Sequence, residues 1–166
     1  MKVRVGIWIW ITGCLSLLSA TCSAQSICPW LNVATASGVL GGAATVEVNA
    51  AGIGNGTCVF RLQDGAKKDT LRISVVEANN PESAGIKPSK TSCTSSGTPL
   101  KGVGNEAVLC AIDAEGARGE QVVGRVRDRT FTVVISTSSE KDTEAKPDPL
   151  AEKAEEIAKA VAGALF

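Results

Sequence analysis

Between Leu100 and Thr137 apolar and polar residues alternate in three runs separated by glycine and charged residues. In Glu106–Asp113, Val108, Cys110 and Ile112 share one face, and Ala107, Leu109 and Ala111 share the other. A strand apolar on both sides is covered twice or central in its sheet. Glu115-Gly116 and Gly119 supply turn chemistry, after which Val122, Gly124 and Val126 lie on one face of Glu120–Val126. Arg127-Asp128 predicts a tight reversal into a third run, where Phe131, Val133 and Ile135 alternate with Thr130, Thr132, Val134 and Ser136. The pattern predicts a three-stranded antiparallel meander.

Earlier in the chain the same period of two marks Thr45–Asn49, Thr57–Leu62 (Cys58, Phe60 and Leu62 on one face) and a strand carrying Leu71, Ile73 and Val75. Two helices frame these strands. Asn32 is placed to cap a short helix through Leu40, with Ala36, Val39 and Leu40 as its inner face and Gly41-Gly42 as its stop. Asp148-Pro149 opens a second helix whose Leu150, Ala154, Ile157, Val161 and Leu165 form one apolar stripe. Glu152, Lys153, Glu155, Glu156 and Lys159 face away. This polar face mixes both signs, so the helix is expected to pack on the sheet rather than lie on a membrane. The fold class is therefore α+β: an antiparallel sheet of about five to six strands flanked by a short N-terminal helix and an amphipathic C-terminal one. Glu77–Pro99, with three prolines and many polar residues, predicts a long loop over 78–99, and 140–148 reads as a charged linker.

Met1–Ala24 has the form of an export signal. Lys2 and Arg4 precede an apolar core from Val5 to Ala20, and Cys22-Ser23-Ala24 offers small residues before Gln25. Interrupted by Thr12, Gly13 and serines, the core falls short of the ~20 apolar residues of a spanning helix, so no transmembrane span is expected in the mature chain. Lipid anchoring through Ile11-Thr12-Gly13-Cys14 or Ser19-Ala20-Thr21-Cys22 is the competing reading. Cleavage after Ala24 leaves one domain over 25–166. Lys2 and Arg4 leave with the signal, so 15 basic residues face 17 acidic ones, a net charge of −2. That balance, with no Tyr and only 4% aromatic residues, excludes nucleic acid as an expected partner.

Four cysteines remain: Cys28, Cys58, Cys93 and Cys110. An even number in an exported chain predicts disulfides in an extracytoplasmic setting, periplasmic or secreted. Three connectivities are possible. Cys28–Cys58 and Cys93–Cys110 are expected, because each joins a flexible segment to the next predicted strand. With no Cys-x-x-Cys spacing and no His, neither a metal site nor a cofactor is expected.

Candidate chemistry is sparse. Arg118, Arg125, Arg127 and Arg129 stand near one predicted hairpin and would hold an anionic ligand if they converge; alternating arginines also describe a solvated face. Asp113 and Glu115 form a carboxylate pair on paper but flank a turn. Ser89-Lys90 offers a nucleophile and base without His, although neighbours in sequence need not meet in space. Trp30 fits a core anchor. Asn55-Gly56-Thr57 has the glycosylation form but equally signals a hairpin turn, which is preferred. Gly102-Val103-Gly104-Asn105-Glu106-Ala107 echoes a dinucleotide fingerprint, yet it precedes a strand instead of opening a helix. Those glycines are read as permitting a tight approach into the strand.

The outline formed by Cys28, the short helix ending Leu40-Gly41, Cys58, the segment Gly102–Ala107, a strand pair and a terminal helix resembles small exported or lipid-anchored bacterial proteins of unknown function. Such proteins are best known from actinobacteria, and their architecture is similar to PsbP-like domains. The resemblance implies helices packed on an antiparallel sheet and supplies no catalytic residue. Two functions follow as expectations. The first is a non-enzymatic exported module binding a protein or small-molecule ligand at the Ser83–Pro99 loop and neighbouring strands. The alternative is a small extracytoplasmic enzyme, hydrolase-like, with an unidentified site.

Overall fold

The computed structural model describes residues 27–50, 54–65, 67–77, 93, 96–114, 117–138 and 149–166. The export segment 1–24, the linker 140–148, Ser89-Lys90, Glu115 and residues 78–92 of the long loop lie outside them.

Seven strands form a single sheet: β1 (Thr45–Ala50), β2 (Gly56–Asp64), β3 (Lys67–Glu77), β4 (Thr98–Leu100), β5 (Glu106–Ala114), β6 (Ala117–Val126) and β7 (Arg129–Thr137). Their order is β1-β2-β3-β7-β6-β5-β4, antiparallel at every pairing. Six of the strands are those expected from alternation, each extended by a few residues. The seventh, β4, corrects the expected count of five to six, and it lies in the segment read as loop. It is three residues long and contains Pro99, which lacks an N–H to donate. Such a strand survives only where one side needs no ladder bond, and β4 is indeed an edge.

Helix α1 (Val33–Leu40) begins as its sequence dictates: the Asn32 side chain accepts from the Thr35 N–H at 2.8 Å. Its end is closed by the Gly41 N–H donating to the Ser37 carbonyl at 2.9 Å. Ala36, Val39 and Leu40 are its buried residues, and it packs on β2 and β3. Helix α2 (Pro149–Leu165) buries Ala154, Ile157, Ala158, Val161, Ala162 and Leu165 against β5, β6 and β7. At 1.5 Å per residue it runs about 25 Å, matching the roughly 27 Å length of β7.

Both helices cover the same side of the sheet. The one-to-one registers put Phe60, Leu71 and Ile135 in one transverse row, Cys58, Ile73, Val133 and Val122 in the next, and Val75, Phe131 and Gly124 in a third. All but the glycine belong to one buried cluster, which includes the buried residues of both helices and the core anchor Trp30. Fully burying a side chain of this size contributes roughly 1.5–3 kcal/mol, so this layer is the dominant favourable term. The Cys28–Cys58 disulfide lies inside it and ties the chain ahead of α1 to β2.

Candidate functional site

The alternation that buries one side sends every second residue to the other. Reading across the strands, the face turned away from both helices carries Glu47, Val59, Arg72, Val134, Gln121 and Cys110 in one row, exposed at Glu47 and Arg72 and buried at Gln121 and Cys110. The next row holds Asn49, Thr57, Ser74, Thr132, Val123 and Val108. Neither α1 nor α2 packs here. Cys110 is buried yet stands apart from the main core cluster, and its disulfide holds Cys93 on this face. Both expected disulfide pairings are thus present.

Charge divides between the faces. The charged strand positions of the open face are Arg61, Lys68, Arg72 and Arg125 against Glu47 and Glu106, a net +2. On the helix side they are Lys67, Arg118 and Arg129 against Asp64, Asp69, Glu77, Asp113 and Glu120, a net −2. Both open-face acids are already engaged: Glu47 Oε2 sits 2.6 Å from Arg61 Nη1, and Glu106 Oε1 sits 2.9 Å from Arg125 Nε. Arg72 and Lys68 have no ion-pair partner among the described residues, so the uncompensated charge is theirs. Beside Arg72 an open groove of about 560 Å³ is lined by Glu47, Val48, Asn49, Thr57, Val59 and Arg72. At its rim the Thr57 and Ser74 hydroxyls are 3.1 Å apart.

The four arginines picked from sequence do not share one place. Arg125 is on the open face, ion-paired. Arg129 points to the helix side, its guanidinium over Gly54, where a Cβ would meet Nη1 at 2.7 Å. Arg127 occupies the β6–β7 turn with φ 53° and lies over the Phe166 ring, 5.7 Å from its centroid. Arg118 is on the helix-side face near the opposite end of β6, seven residues or about 24 Å from Arg125. Asp113 is exposed at the end of β5.

The glycine motif before β5 forms a lashing. Gly104 (φ 63°) passes so close to β6 that a Cβ would lie 2.4 Å from the Arg125 carbonyl oxygen, a position open only to glycine. Val103, between the two glycines, is buried in the core. The Asn105 N–H donates to that same carbonyl at 2.8 Å, while its side-chain oxygen accepts from the Arg127 N–H at 2.7 Å. The motif holds the β6–β7 turn and leads directly into a strand, so its geometry is that of a clamp on a hairpin.

Arg72 and Lys68 were missed in sequence because they stand singly in their strand. The usable signal was the parity of β3, where Lys68, Thr70, Arg72 and Ser74 alternate with Asp69, Leu71, Ile73 and Val75. Among the described residues no group of three or more His, Cys, Asp or Glu is arranged to hold a metal ion. None of their helices is long and apolar enough to cross a membrane. No protein-family model, curated protein or solved structure matches the chain.

Proposed function

We propose that this chain is an exported, non-enzymatic binding module that takes an anionic small molecule or protein partner on the open face of its sheet. The observation that carries this reading is that the charged strand positions turned away from the helices sum to a net positive charge, with Lys68 and Arg72 exposed, while those on the helix side sum to a net negative one. An oriented charge difference of this kind steers anions to one surface. Two disulfides point to an oxidising, extracytoplasmic environment, in keeping with the export signal read in Met1–Ala24. The Cys93–Cys110 bridge adds support, since a tethered segment has less entropy to lose when a ligand arrives. The expected contribution of the Ser83–Pro99 loop rests largely on residues outside those described.

A panel of anionic, neutral and cationic small molecules, followed by backbone amide shifts, tests the reading. Shifts from the anions should gather at Val59, Arg72, Ser74 and Thr132 and disappear in the double variant Lys68→Glu, Arg72→Glu. Shifts confined to the helix side would refute the assignment of the face, and turnover of a panel member would support the alternative of a small extracytoplasmic enzyme.

A further inference from the structure

Sheet edges differ sharply in how well they are guarded. At one end stands β4, three residues long with Pro99 in its middle, a poor template for another strand. At the other end stands β1, six residues of Thr-Val-Glu-Val-Asn-Ala in unbroken one-to-one register with β2. It has no proline, no lysine and no bulge, the devices that normally blunt an edge. Every second residue of an edge strand directs its N–H and C=O away from the sheet. Among the described residues, β1 makes backbone ladder bonds to β2 alone.

We propose that β1 accepts an extended peptide segment of a partner, added as a further antiparallel or parallel strand, with apolar and acidic residues in alternation. This rests on the open face being the binding face and names the kind of partner it takes. The alternation follows from the two sides of β1. Val46 and Val48 point to the helix side, are only half-buried, and pack at the margin of the core. Apolar residues of an added strand would lie beside them and extend that layer by one strand, with the gain of burying surface now left at the edge. The intervening residues of the added strand point to the open face. There Glu47 is already neutralised by Arg61 at 2.6 Å, and Arg72 and Lys68 supply the net positive field. A neutral residue is favoured directly opposite Glu47, and acidic rather than basic residues at the flanking positions opposite Thr45 and Asn49. The groove lined by Glu47, Asn49, Thr57 and Arg72 opens beside β1 and gives longer acidic side chains room to reach inward. Backbone bonds supply affinity in this mode and alternate side chains supply choice.

The probe is an acetylated, amidated hexapeptide, Val-Glu-Val-Thr-Val-Glu, titrated into the isotopically labelled, disulfide-bonded protein. Amide shifts and slowed amide exchange are expected along Thr45–Ala50 and absent from Thr98–Leu100. Methylation of alternate peptide nitrogens should abolish binding, and replacing both Glu by Lys should weaken it at least 5-fold. Arg72→Glu, an exposed substitution that brings the strand charges of this face to zero, should remove that preference. Two outcomes overturn the proposal: no protection of β1 with the peptide in excess, or self-association of the protein through β1 without peptide, which makes a second copy the occupant. Shifts at Arg72 and Ser74 with β1 unaffected would also overturn it while leaving the open-face reading standing. Absence of any response at the open face to both this peptide and the anion panel would fell the two together.

Discussion

Replacing Gly124 with alanine tests the packing that separates the two faces. Gly124 lies directly across from Phe131, whose ring is fully buried and crosses β6 on the helix side. A Cβ at position 124 would stand 2.2 Å from Phe131 Cζ and 2.5 Å from Cε1, far inside contact distance for a fully buried ring. Overpacking of this kind costs roughly 1–3 kcal/mol. Against it, removing a glycine from a strand restricts the unfolded chain and returns about 0.4–1 kcal/mol. The steric cost wins, and Gly124→Ala should destabilise by ~1–2 kcal/mol. With a urea slope of about 1–3 kcal/mol per molar, the midpoint should fall by ~0.5–1 M at unchanged slope. The partner substitution Phe131→Leu removes the offending edge of the ring and costs ~1 kcal/mol by itself. In the double variant the two changes should be strongly non-additive, its midpoint close to that of Phe131→Leu alone. A Gly124→Ala midpoint equal to or above the parent, or simple additivity, would refute the reasoning.

Two further outcomes follow from the cross-links and the clamp. Mild thiol treatment should open Cys93–Cys110 before Cys28–Cys58, because Cys93 is half-exposed while Cys28 and Cys58 are both buried in the core; alkylation and peptide mapping read the order. In the chain-entropy model the bridges, with separations of 17 and 30 residues, contribute about 3 and about 3.5 kcal/mol, so opening both should cost more than either alone. Asn105→Ala removes the acceptor for the Arg127 N–H at an exposed turn and should cost ~0.5–1.5 kcal/mol in urea unfolding, without altering anion-induced shifts at Arg72.

Much of the fold was legible because it is written locally. Period-two runs marked six strands, Asn32 and Gly41 bounded α1, and the spacing from Leu150 to Leu165 identified the buried stripe of α2. β4 escaped because three residues around a proline carry no period. Strand order escaped for another reason. β3 pairs with β7, some sixty residues away, and no local pattern encodes a non-local partner. That pairing decides which polar residues meet on the open face, so the site was less legible than the core. The arginines illustrate this: nearness in sequence grouped Arg118 with Arg125, but an odd separation along one strand puts them on opposite faces. Lys68 and Arg72, spaced by four, share a face and were overlooked because their strand was read only for its apolar side.

On the sheet face turned away from the helices, the β1–β3 portion that exposes Lys68 and Arg72 should be accessible and attract anions. Paramagnetic relaxation by paired small co-solutes, one anionic and one cationic nitroxide of the same size, measures both properties residue by residue. Relaxation from the anionic probe should be stronger at Lys68, Arg72 and Ser74, with the preference lost in 0.5 M salt, where the screening length falls to about 4 Å. Equal relaxation by the two probes, a preference for the cation, or protection of these residues from both would contradict it.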